Sequence, residues 1–382
     1  MPPIEITSLQ PLAAPLWFII FFRILGFVLH ALLMNLWLVG IPLALWLNRS
    51  RNPNARRWSG QLLRQMPIFI AFGINFGIVP LLFIQYLYSR TFYPATILMA
   101  WHWLSIIALL LPAYYGVYFY ALSLKKNPES VSVRARLAGW TAALLFTIVG
   151  FFFVNGLTLT AEPELWKELW LTHGTAGAAL GTGSAIRNAE IWPRFGMMFG
   201  LAFGTLAVWT LINRAFSLSH SESEDESEKA FFRWSARAAR LLAGLGMILF
   251  IPCALIFVSL LEKGPSLDAP LPALANVWLA GPILTFLASL FFASCGGKLT
   301  AILTLLVQVL SISIFACVRL WIQALQLESH LPLTQFKVQT DWGPMLLFLG
   351  TALFGVLILL WMLRIVLRNL RAIPAKIEPG EN

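Results

Sequence analysis

Two histidines and an arginine stand where a strongly apolar sequence has little ordinary use for them. His30 falls near the middle of the run Leu16–Leu47, and Arg23 precedes it by seven positions on the same helical face, about 10 Å away along the axis. An imidazole inside a bilayer costs roughly 2 kcal/mol without a partner, so an intramembrane ionisable residue marks a functional site by default. The plainer reading gives His30 a hydrogen bond to a carbonyl on a neighbouring helix and lets Arg23 snorkel to the headgroups. His102 lies in Trp101-His102-Trp103 near one end of another apolar run. Its imidazole could ligate a metal, or it could be an interfacial histidine between belt tryptophans. The three cysteines, Cys253, Cys295 and Cys317, show neither CxxC zinc spacing nor the CxxCH of covalent haem attachment, and read as buried structural thiols.

The elements that must position these residues are membrane spans. Of the 382 residues, 59% are hydrophobic and 12% charged, and the mean hydropathy is +0.77. Soluble domains are about a quarter charged, so a water-soluble enzyme is excluded. Apolar runs of bilayer length predict spans at Leu16–Leu47, Pro67–Leu87, Ile97–Leu122, Leu137–Leu159 and Phe195–Ile212, then at Leu241–Leu261, Leu274–Ala293, Leu299–Leu327 and Gly343–Leu367. The expected fold is an all-α polytopic bundle of about nine spans. The first run is too long for a signal peptide, and no basic region precedes it.

Basic residues set the orientation, because Lys and Arg near span ends are retained on the cytoplasmic side. Arg49, Arg51, Arg56, Arg57 and Arg64, then Lys125, Lys126, Arg134 and Arg136, then Arg214, Lys229, Arg233, Arg237 and Arg240 fall in alternate connections, with Lys298, Arg364, Arg368, Arg371 and Lys376 completing the set. The other face carries Arg90, Lys167, Arg187, Arg194, Lys263, Arg319 and Lys337. The amino terminus is therefore expected outside and the carboxyl terminus inside the cytoplasm. The net charge of +10 reflects this topology and not nucleic-acid binding, since no single basic domain gathers it.

The organisation expected is an amino-terminal bundle (1–216, spans one to five), an acidic cytoplasmic linker (217–235) and a carboxyl-terminal bundle with its tail (236–382). The linker carries Ser221-Glu222-Ser223-Glu224-Asp225-Glu226-Ser227-Glu228, too polar to pack and read as a disordered tether. The outer segment Thr160 to Pro193 joins an amphipathic stretch (Leu165, Trp166, Leu169, Trp170) to a Gly/Ala-rich piece, Gly174 to Gly183. Its tryptophans suit the headgroup zone, and a partner-binding surface is the sharper alternative.

The pattern His30-Ala-Leu-Leu-Met-Asn-Leu-Trp-Leu-Val-Gly, followed by Phe72-Gly73-Ile74-Asn75-Phe76, resembles subunit I of the cytochrome bd quinol oxidases. Leu98-Met99-Ala100-Trp101 and Val154-Asn155-Gly156 agree in order, as do nine spans with an outer amino terminus. The resemblance covers about Phe22 to Glu162, and beyond that only the topology. It implies that His30 is an axial ligand of a non-covalent b-type haem near the outer face; Arg23, on the same helical face, could meet a propionate at the outer end, and Asn75 of the second motif is a further candidate cofactor contact. His102 departs from the family pattern, which has an aromatic there; it could be a second axial ligand, with Trp101 walling the macrocycle.

What is missing matters as much. The family's second b-type haem uses a His on span five and a Met on span seven, yet no His occurs between His173 and His220 and no Met between Met247 and Met345. The predicted spans contain no Asp or Glu, and Gln85, Tyr86 and Leu87 stand where the family places a glutamate in span two. Oxygen reduction consumes protons that buried carboxylates relay, which argues against it in this subunit. The connection Glu262 to Leu271 is far shorter than the family's quinol loop. The reading is a haem-holding subunit of a membrane electron-transfer complex, with a c-type cytochrome as an outer-face partner and quinone possible at another cleft. Its rivals are a cofactor-free scaffold and a transporter whose helices break at Pro42, Pro80, Pro112, Pro252 or Pro282.

Overall fold

Lipid offers no hydrogen bonds to a peptide backbone, so a chain this apolar must satisfy its amides within helices. The computed structural model describes residues 11–128, 130–217, 226–261, 271–295 and 297–372. In chain order its helices are α1 (Leu16–Leu47), α2 (Pro53–Leu87), α3 (Ser89–Leu98), α4 (Ala100–Lys126), α5 (Val133–Ala161) and α6 (Leu165–His173). Then come α7 (Ile191–Ser217), α8 (Glu226–Leu261), α9 (Leu271–Cys295), α10 (Lys298–Gln326) and α11 (Trp342–Ala372). Seven of them, α1, α2, α4, α5, α7, α8 and α10, are long and apolar enough to cross a membrane, and α9 and α11 carry shorter apolar stretches, Leu279–Ala293 and Trp342–Ile358. The chain is a multi-pass, all-helical membrane protein. Eight of the nine expected spans each fall on one of these helices, and the third starts on α3 and continues on α4.

Three boundaries differ from expectation, each for a local reason. α2 starts at Pro53, well before Pro67, because Asn52 caps it by accepting from the Asn54 amide at 2.9 Å and Pro53 occupies a first-turn position that needs no donor. α8 starts at Glu226, so the end of the acidic run is a helical first turn and not a tether. Carboxylates there face the positive end of the helix dipole, and Glu228 accepts from both Arg57 guanidinium nitrogens at 2.6 and 3.0 Å. The earlier part of that run, 218–225, lies outside the described residues, as do Glu262, Lys263 and Lys376.

The third expected span is broken at Met99, which separates α3 from α4. The segment 160–193 inserts its backbone at the break: the Trp101 amide donates to Gly181 O at 3.0 Å and the Gly183 amide to Leu98 O at 2.8 Å. A Cβ on Gly183 would lie 2.8 Å from that same Leu98 oxygen, so only glycine allows the approach. The segment itself is ordered as α6, an antiparallel hairpin of β1 (Gly174–Thr175) and β2 (Ala178–Ala179), and a 3-10 turn at Ala185–Arg187. Asn155 ties it down, donating to Ser184 Oγ at 2.8 Å and accepting from the Ala185 amide at 2.7 Å.

The prolines at 42, 80, 112, 252 and 282 sit inside continuous helices and break none of them. α7 packs along α8, α4 on α5, and α9 on α8 and α10. The α7–α8 crossing is close because both partners lack a side chain there: a Cβ on Gly246 would stand 2.8 Å from Gly200 O. A buried core of Trp37, Trp58, Leu62, Met66, Ile70 and Phe146 is laced by polar ties, among them Trp58 Nε1 to Thr210 Oγ1 at 3.0 Å and Asn35 Nδ2 to Thr205 Oγ1 at 2.9 Å. All of this belongs to one compact unit, Ile20–Leu333 in its described part. In a second unit Leu12 bridges Val338 in parallel and the rings of Phe18 and Phe348 meet edge-on at 5.8 Å.

Candidate functional site

α1 presents Arg23, Phe27 and His30 along one stripe, at helical spacings of four and three. α10 presents Phe315, Arg319 and Gln323 at spacings of four. The two stripes meet rung by rung. The Arg23 guanidinium donates to Gln323 Oε1, the Arg319 guanidinium lies 4.1 Å from the centre of the Phe27 ring, and the rings of Phe27 and Phe315 stack at 6.3 Å. Below them Val28 and Ala31 bury against Ile312.

Arg23 is only 4% exposed, so it does not snorkel as the plainer reading expected. Its Nη1 is buried and makes no hydrogen bond among the described residues, and its guanidinium carbon lies 5.3 Å from the Tyr88 ring centre. The charge of Arg319 acts on Arg23, Arg194 and His30. No ion pair of the described residues includes Arg23 or Arg319.

His30 turns toward α2. Its Nδ1 lies 2.7 Å from Gly73 O, so Nδ1 carries the proton and donates, leaving Nε2 with its lone pair. Trp37 meets the imidazole edge-on with 6.0 Å between ring centres, and a Cβ on Gly77 would stand 2.7 Å from Nδ1. Metal-ligating histidines commonly donate their other nitrogen to a backbone carbonyl, which fixes the ring and raises its basicity. An imidazole held in this way and a buried arginine with an unsatisfied donor suit a haem: one offers an axial nitrogen, the other a partner for a propionate.

The remaining expected residues lie apart from this stripe. His102, on α4, meets Phe152 of α5 edge-on at 5.1 Å, and its Nδ1 is buried without a hydrogen-bond partner among the described residues. Trp101 beside it is 69% exposed, with its amide donating to Gly181 O. No described contact joins His102 to His30. Asn75 is exposed on the side of α2 away from Gly73 and Gly77, and its amide folds back to Ala71 O at 2.7 Å, which takes it out of the His30 surroundings.

Arg319 was countable from the sequence only as an outer-face charge, although it falls within the predicted span Leu299–Leu327 and the rule for intramembrane charges applies to it. A second cluster needs the tertiary structure to be seen. Just beyond α5, Glu162 meets Glu190 and Arg194 at the start of α7: Arg194 Nη2 lies 2.8 Å from Glu190 and 3.8 Å from Glu162. Asn188 donates to Glu162, and Gln326 Nε2 to Glu190 at 3.3 Å. Burial, and then the neighbouring Glu190 carboxylate, push the Glu162 carboxyl up to about 8 against the pull of Arg194.

Neither a family model nor a curated protein sequence matches this chain. Among solved structures, it is similar to a chain of the bd oxidase from Geobacillus thermodenitrificans, with a TM-score of 0.58 and 11% sequence identity, over 96% of this chain and 100% of the other. At that identity the likeness establishes the fold alone. The fold is that of a bd oxidase chain, as the motifs around His30 and Phe72 to Phe76 led one to expect.

Proposed function

We propose that this chain is a haem-binding subunit of an electron-transfer complex in a bacterial cytoplasmic membrane, with its amino terminus outside and its carboxyl terminus in the cytoplasm. The observation that carries the reading is the His30–Gly73 bond, which holds the imidazole by Nδ1 and leaves Nε2 available, with the buried Arg23 and the part-buried Arg319 on the same stripe. His30 would supply the axial nitrogen, Arg23 and Arg319 the positive charge facing carboxylate groups, and Trp37 and the low-dielectric helix packing the exclusion of water. Bound there, a b-type haem supplies one-electron exchange between ferric and ferrous iron.

The spans hold no carboxylate relay, which favours electron transfer without oxygen reduction. His102, with an unsatisfied buried nitrogen, is the candidate for a second ligand. The outer segment, with Trp170, Leu171, Leu180 and Ile186 exposed, suits docking of a c-type cytochrome, and quinone is a further candidate partner within the bilayer.

A cofactor-free scaffold is the second reading, and one observation favours it: the His30–Gly73 bond by itself satisfies a structural histidine. A dithionite-reduced minus air-oxidised spectrum of the purified chain, with pyridine haemochrome quantification, separates the two. A b-type band at one haem or more per chain supports the haem reading, and material purified with its native partners but lacking a Soret band rejects it.

A further inference from the structure

At the opposite end of the bundle from Arg23, α8 carries Arg233, Arg237 and Arg240 at spacings of four and three, hence on one face. With Phe232, Ala236 and Ala293 they line an open groove of about 360 Å³. Behind it lies Arg214 of α7, 3% exposed, donating through Nη1 to Ala293 O at 2.8 Å and sitting 4.2 Å from the Phe232 ring centre. Its Nε is buried without a hydrogen-bond partner among the described residues, and its charge and that of Arg240 repel. The nearest carboxylates along α8 are already engaged, Glu226 with Lys229 at 2.9 Å and Glu228 with Arg57 at 2.6 Å. Among the described residues, the groove lining contains no acidic residue.

We propose that this groove binds the phosphate headgroup of an anionic phospholipid, with Arg233, Arg237 and Arg240 meeting the phosphate and Phe232, Ala236 and Ala293 the glycerol and first acyl carbons. Its level in the membrane favours a lipid over a soluble anion, because the basic stripe ends at Arg240 where the apolar part of α8 begins at Leu241. Guanidinium groups take phosphate oxygens in pairs, and a basic pocket between spans at the cytoplasmic surface is where anionic headgroups are held. The site is independent of the haem reading.

The test is native mass spectrometry of the full chain in detergent, titrated with phosphatidylglycerol or with phosphatidylcholine. Phosphatidylglycerol is expected to be retained selectively. The double variant Arg233→Gln/Arg237→Gln, which changes exposed side chains, is expected to weaken its retention roughly tenfold or more. Arg237→Lys is expected to keep most of it, and Arg187→Gln at the outer face to change nothing. Equal retention of both lipids, or unchanged retention in the double variant, would overturn the proposal. Displacement of phosphatidylglycerol by inorganic phosphate at equal concentration would overturn the assignment to lipid.

Discussion

The imidazole of His30 and the backbone of Gly73 are joined across α1 and α2, with 2.7 Å between Nδ1 and the carbonyl oxygen. Gly77 lies one turn further along α2 and leaves room for the ring, which a Cβ there would meet at 2.7 Å. The seat thus depends on two glycines as much as on the histidine.

Replacing His30 with Ala is expected to abolish any haem absorbance while the helices persist. Gly77→Ala should act on the same signal with His30 still in place, since the new Cβ stands 2.7 Å from Nδ1 and must push the ring aside. Relief of such an overlap costs about 1–3 kcal/mol. A lowered haem content or a shifted band in the Ala variant is the expected result, and an unchanged spectrum in both variants would remove His30 from the site.

Arg23 sits about 10 Å along α1 from His30, where a unit charge is worth roughly 1.7 kcal/mol at an effective dielectric near 20. Arg23→Gln is therefore expected to lower the haem midpoint potential by on the order of 70 mV, and Arg319→Gln in the same direction. Redox titration of each variant checks this; a potential unmoved by both would place the iron away from this stripe.

Glu162 gives the fold a pH dependence. Its carboxyl ionises near 4.5 when exposed and near 8 in the folded chain, so between those values the folded state holds a proton that the unfolded state has lost. Its contribution is fully present below about pH 4.5, declines by up to about 1.4 kcal/mol per unit as pH rises, and is spent above about pH 8. The melting temperature of Glu162→Gln is expected to fall less steeply from pH 5 to 9 than that of the parent chain. Parallel curves would show that Glu162 does not hold the proton.

The α7–α8 crossing should tolerate no side chain. Gly246→Ala puts a methyl 2.8 Å from the Gly200 carbonyl, and backbone cannot yield cheaply, so a loss of about 1–3 kcal/mol in thermal stability is expected. Gly350→Ala, with nothing within 4 Å of its new Cβ, should be neutral or stabilising by up to about 1 kcal/mol.

The carboxyl terminus is expected inside the cytoplasm. A reporter fused after Asn382 should be active only there, and activity on the outer side would invert the assignment of every connection.

The spans were legible because bilayer length and apolar composition are properties of a segment by itself. His30 was legible for the same reason, as a polar group in an apolar run. The side of α2 on which Asn75 falls was not legible, because neighbouring residues in a motif point to opposite faces of a helix and the sequence context does not say which face is packed. The break at Met99 escaped because the hydrogen bonds that flank it, Trp101 N–H to Gly181 O and Gly183 N–H to Leu98 O, reach residues over eighty positions away.

By itself, then, the sequence determined an all-helical membrane chain, the helices and the residues worth watching, since hydrophobicity and charge act through each residue's own transfer free energy. Only the tertiary structure decided that Arg23 is buried against Gln323, that Arg319 joins it, and that Glu162, Glu190 and Arg194 converge. Those relations depend on which helices lie side by side and how they are rotated, and contacts between residues tens to hundreds of positions apart leave no local trace in the chain.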